Sequence, residues 1–158
     1  MQIYYWCPYL TNVATINAVK RSAISLKKYY KKKIDVSILN SSGEWLFFRD
    51  NIFGVNILNI LKFNFHKYLP KEGLIPSRIS FILIFLINFF PLLFKIKKNK
   101  PDYLIIHLLT VLPIILSPMI YKNTKIILRI SGLPEITFFR KLLWRYFSKY
   151  IHIVTAPT

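Results

Sequence analysis

The sequence is short of acids. Its 158 residues carry six Asp and Glu against 23 Lys and Arg, a net charge of +17. Such an imbalance selects an anionic partner: nucleic acid, an anionic membrane surface or an anionic substrate. Cysteine is nearly missing. Cys7 stands alone, so no intrachain disulfide can form, which fits a reducing compartment. His66, His107, His152 and Cys7 show no metal-ligand spacing, and neither a Walker loop nor a nucleophile elbow is present. The start, Met1 to Trp6, lacks a basic n-region and a small-residue cleavage site, so no signal peptide is visible and the cytoplasm is the expected location. No internal repeat or low-complexity block interrupts the chain.

What is present is grease. The hydrophobic fraction is 54% and the mean hydropathy +0.38, at a pI near 10.1. A nucleic-acid binder is typically basic and polar. Here the basic residues are scattered and the aromatics look like core rather than a stacking face, so no nucleic-acid partner is expected. Basic and apolar together point to a membrane surface, where burial and lipid charge act jointly. Ile, Lys, Asn, Phe and Tyr are all over-used, as AT-rich coding would produce, which offers a second source for both features.

The length suits one domain with a single buried core. Strand-like and helix-like segments alternate, the pattern of an α/β parallel sheet. Gln2 to Trp6 reads as the first strand, closed by Pro8. Val13 to Tyr30 has the period of an amphipathic helix, with Lys31-Lys32-Lys33 at its C-terminus. Asp35 to Leu39 is a second strand before the turn residues Asn40-Ser41-Ser42-Gly43. Glu44 to Pro76 has no clean period; a strand over Val55 to Ile60 is expected within it. Tyr103 to Leu108, Thr124 to Ile130 and Ile151 to Thr155 read as strands. Thr110 to Tyr121 and Thr137 to Lys149 read as helices, with Pro113 harmless in a first turn and Pro118 expected to kink or end its helix. The last strand leads straight into Ala156-Pro157-Thr158, so a fragment of a larger protein is expected.

The longest helix should run from Ser77 to Lys98. Its stretch Ile79 to Ile96 is 18 residues long, the lower limit for a membrane span. Asn88, Pro91 and the need for a crossover between strands of one sheet favour a packed helix or an interfacial one.

Four segments in order resemble a known family. Lys98-Asn99-Lys100-Pro101-Asp102-Tyr103-Leu104-Ile105-Ile106-His107 is similar to the segment entering the fourth strand of retaining GT-B glycosyltransferases of family 4. Thr124 to Pro134 resembles the next strand and its exit loop, and Ile151 to Ala156 a later strand. Pro8 with Val13-Ala14-Thr15 resembles the first loop and helix. The resemblance implies a Rossmann-like parallel sheet with flanking helices over 1–158, the N-terminal half of a GT-B fold. It implies the acceptor-binding domain of a retaining, nucleotide-sugar-dependent enzyme of cell-envelope polysaccharide synthesis. It also implies a missing C-terminal domain or partner chain that holds the nucleotide sugar, a sugar or lipid-linked acceptor, and a peripheral position on the inner face of the plasma membrane. No cofactor is expected in the chain itself. Two features depart from the family pattern. The loop Cys7 to Thr15 has no glycine, so it offers no backbone cradle for a diphosphate. Ser131 stands where many members have His, which leaves it hydrogen bonding only.

Ligands of open α/β sheets bind at the carboxyl ends of strands. That rule selects Pro8 to Thr15, Asn40 to Glu44, His107 to Thr110 and Arg129 to Glu135. Thr11 and Asn12 either bind acceptor hydroxyls or cap the following helix. His107 either faces the cleft with Thr110 or is a satisfied core histidine. Arg129, in an apolar strand, must be paired, solvated or aimed at a ligand phosphate. Ser131 and Gly132 form the loop where a backbone can approach a ligand closely. Glu135 either serves the site or pairs with Arg140. The competing readings are a non-catalytic partner subunit of a split glycosyltransferase, and a small integral membrane protein whose strand-like runs are misread.

Overall fold

The computed structural model describes residues 1–30, 33–51, 54–130 and 137–156. Six strands form one sheet: β1 (Gln2–Trp6), β2 (Asp35–Asn40), β3 (Asn56–Asn59), β4 (Tyr103–Ile106), β5 (Lys125–Arg129) and β6 (Ile153–Thr155). Every pairing is parallel and the order is β3-β2-β1-β4-β5-β6. Among the described residues four α-helices connect them: α1 (Ala14–Tyr30), α2 (Leu74–Asn99), α3 (Val111–Ile120) and α4 (Phe138–Phe147). The fold is the expected Rossmann-like α/β sheet, and the runs read as strands are strands.

Period-two alternation along β1 divides the core. Ile3, Tyr5 and Cys7 join Ile16, Val19 and Ala23 of α1 on one face. Tyr4 and Trp6 join Leu92, Leu93 and Ile96 of α2 and Leu112, Ile114 and Leu116 of α3 on the other, with Leu143, Trp144 and Phe147 of α4 packed against that cluster. A strand buried on both faces needs apolar residues at every position, which is why β1 is a continuous run rather than an alternating one.

Boundaries move by a few residues. Helix α2 starts at Leu74, not Ser77, because Pro76 sits in its first turn, where an absent N–H costs nothing. It ends on Lys100 in a left-handed conformation (φ 46°) whose N–H bonds Ile96 O at 2.8 Å. Pro118 does not stop α3 at once; the helix runs on two residues to Ile120. Pro118 deprives Ile114 O of its usual donor, and the Ser117 hydroxyl supplies one at 2.6 Å. The last expected helix is shorter as an α-helix, with Ser148–Tyr150 forming a 3-10 turn after α4.

Candidate functional site

The strand order reverses between β1 and β4. One branch of the chain leaves β1 toward β2 and β3, the other leaves β4 toward β5 and β6. Their exit loops therefore diverge and open a crevice at the carboxyl ends. A cavity of about 430 Å³ lies there, lined by Tyr9, Leu10, Thr11, Val13, Thr15 and Leu108 from the two exits and by Lys71, Ser77 and Phe81 from the approach to α2. Its walls are mostly apolar. Four hydroxyls (Tyr9, Thr11, Thr15 and Ser77) and one ammonium stand among them, the usual composition of a small-molecule site.

The rim is held by a network centred on Glu44. Its carboxylate is fully buried and accepts four hydrogen bonds: Ser41 N and Oγ at 3.1 and 2.8 Å, Ser42 N and Oγ at 2.7 and 2.8 Å. The Tyr9 hydroxyl donates to the Glu44 carbonyl. Burial, then the nearby Glu44 charge, raises the Tyr9 phenol well above its ordinary value. Asn40 Oδ1 accepts Gly43 N and Trp45 N at 3.2 and 3.1 Å, and Trp45 Nε1 reaches Cys7 O at 3.0 Å. His66 Nδ1 meets Ser42 Oγ at 3.2 Å, and burial lowers its pKa to about 4. Gly43 has φ +110°, and a Cβ there would lie 1.9 Å from Asn64 Oδ1, so only glycine fits. The polar groups of Asn40 to Glu44 are thus taken up by bonds within the loop and to Asn59, Phe65 and His66, and the loop braces the cavity wall at Tyr9.

The remaining candidates separate. Thr11 lines the cavity; Asn12 is exposed beside it and is not among the lining residues. Neither side chain caps α1 through a hydrogen bond to a described residue. His107 is not among the lining residues, being 5% exposed and stacked on Tyr5 with centroids 6.0 Å apart. Burial, then Arg129, lowers its pKa to about 4, so its imidazole is neutral at pH 7. Its Nε2 has no hydrogen-bond partner among the described residues. Arg129 is half-buried and makes no ion pair with a described residue. Thr110 precedes α3 without a side-chain cap bond. Between His107 and Thr110, Leu109 holds φ +48°, its carbonyl gripped by Trp6 Nε1 at 3.1 Å. Ser131, Gly132 and Glu135 lie outside the described residues. Among the described residues no cluster of His, Cys, Asp or Glu could hold a metal ion.

Neither a family model nor a curated protein matches the sequence. Solved structures do match the fold. MurG of Acinetobacter baumannii aligns over 98% of this chain and 40% of its own length, with TM-score 0.56 and 9% identity. CalG4, the calicheamicin glycosyltransferase, aligns over 92% of this chain and 36% of its own, with TM-score 0.52 and 9% identity. The chain therefore shares the Rossmann-like architecture of GT-B glycosyltransferases and spans less than half the length of these two.

Sequence reasoning did not find Lys71, Ser77 and Phe81 as cavity residues. They precede or begin α2 and end no strand, so the carboxyl-end rule does not select them. The Glu44 clamp was half visible: its loop was selected, and a carboxylate among serines in so acid-poor a chain is a signal of a buried, satisfied charge.

Proposed function

We propose that the chain is the acceptor-binding domain of a retaining, nucleotide-sugar-dependent glycosyltransferase of the family 4 type, acting in cell-envelope polysaccharide synthesis. The observation that carries this reading is the cavity at the β1/β4 switch point in a fold shared with glycosyltransferases. An acceptor sugar suits it: a pyranose presents an apolar face to Phe81, Leu108 and Val13 while its hydroxyls reach Thr11, Thr15 and Ser77. Lys71, exposed at the mouth, suits an acceptor carrying a phosphate, as a lipid-linked one does. In this reading the chain binds and orients the acceptor hydroxyl and excludes water from it, and the nucleotide sugar is held by a C-terminal domain or partner chain.

Saturation-transfer NMR on the full chain, with methyl glycosides and with free nucleotide sugars, tests the assignment. Glycosides should receive saturation, and Phe81→Ala should weaken their signal at least threefold with the fold intact. Tight nucleotide-sugar binding with no glycoside signal would overturn the acceptor-side reading.

A further inference from the structure

Helix α2 is apolar on the wrong side. Its inward ridge is Ser80, Ile84, Asn88, Leu92 and Ile96, all buried. Two of those five are polar and turn their bonds onto nearby backbone: Ser80 Oγ donates to Pro70 O at 2.6 Å and Asn88 Nδ2 to Ile84 O at 2.9 Å. The outward ridge, half a turn away, is Ile79, Leu83, Leu86, Phe90 and Phe94, with no polar member. Leu86, Phe90 and Phe94 are 62%, 62% and 65% exposed. This ridge runs roughly 22 Å along the axis. No charge interrupts it, and cations stand at both ends: Arg78 before it, Lys95, Lys97 and Lys98 after it. On the same side of the sheet α4 exposes Phe138, Phe139 and Leu142 beside Lys141 and Arg145.

Codon bias alone does not make this pattern. Helix α1 covers the opposite face of the same sheet, and its exposed positions include Asn17, Arg21, Ser25 and Lys28. On α1 the exposed large apolar residues are Tyr29 and Tyr30 at its C-terminal end, with no apolar ridge along the helix.

We infer that the outer face of α2 lies in the surface of an anionic lipid bilayer, helix axis in the membrane plane. A ridge of large apolar side chains bracketed by cations matches a lipid surface on both counts, since acyl boundary takes the Phe and Leu and headgroup phosphates take the Lys and Arg. Helix α2 is long and apolar enough to cross a membrane, but six of its residues are built into the core. Crossing would carry the open edges of the sheet into hydrocarbon, where their backbone groups find no partner. The placement also sets the cavity near the bilayer, because Ser77 and Phe81 of α2 line it.

Flotation of the full chain with vesicles of 30% phosphatidylglycerol in phosphatidylcholine tests this. The wild type should float with them, float at least tenfold less with pure phosphatidylcholine, and be released by carbonate. Leu86→Glu/Phe90→Glu should abolish flotation while circular dichroism stays unchanged, and Lys97→Glu/Lys98→Glu should weaken it only on the anionic vesicles. Wild-type flotation by the Leu86/Phe90 variant, equal binding to both vesicles, retention through carbonate, or no binding by a chain that instead dimerises through this face would each overturn the inference. The vesicles hold neither acceptor nor sugar donor, so any of these results leaves the transferase reading standing.

Discussion

Helices α1 and α2 cover opposite faces of one sheet and solve the same packing problem differently. Helix α1 is a conventional surface helix: Ile16, Val19 and Ala23 inward, polar residues outward. Helix α2 lets polar atoms into the core and leaves Leu86, Phe90 and Phe94 outside. Core burial therefore explains the apolar residues of α1 up to its terminal Tyr29 and Tyr30, and only the inner half of α2. The lesson is that overall hydropathy says little about the environment of a helix until the two sides are compared separately.

The sharpest way to break the comparison is to truncate each ridge of α2. Leu92→Ala, inside, should cost about 2–5 kcal/mol in urea unfolding, whereas Leu86→Ala, outside, should stay within about 0.5 kcal/mol. Equal costs would mean that the outer ridge is packed against protein. A second test acts on the α1 side and the rim, through His107 and His66. Both are held neutral by burial down to a pKa of about 4, while the ordinary value is 6.5. Below pH 6.5 the unfolded chain then binds protons that the folded chain refuses. Stability is full above pH 6.5 and drains as the pH falls toward 4, by on the order of 3 kcal/mol for each histidine. His66→Gln/His107→Gln should flatten that slope in thermal melts. The smallest expected effect lies on the inner ridge. Asn88 Oδ1 is buried without a partner among the described residues, so Asn88→Leu should be neutral or stabilising by about 1 kcal/mol. A loss there would show that the polar atom is needed where it is.

The sheet was readable because a parallel strand buried on both faces is written as a short apolar run. Gln2 to Trp6 and Tyr103 to Leu108 can be little else once helices flank them. Within Glu44 to Pro76 the strand was readable, since β3 falls inside the expected Val55 to Ile60, but the rest was not, because its loop is positioned by long-range bonds such as Phe65 N and His66 N to Ser42 O. At the site, Thr11 reached the cavity as its position at a strand exit required. His107 did not: the residue after Ile106↔Trp6 is packed in the core, stacked on Tyr5, while its neighbour Leu108 lines the cavity. Its place at a strand exit was in the sequence, but its burial beneath the crevice was not.

The pairing of β1 with β4 has a consequence in time. Gln2 N bonds Asp102 Oδ2 across a separation of 100 residues, and no hairpin shortens the journey. At a synthesis rate of ~5–20 residues per second, the central strand emerges ~5–20 s before its second neighbour exists. Throughout that wait Tyr4 and Trp6 have no α2 or α3 to cover them. For that interval the nascent chain presents the apolar faces of its central strand uncovered, so the order of synthesis, as well as the stability of the finished fold, shapes how much of it folds.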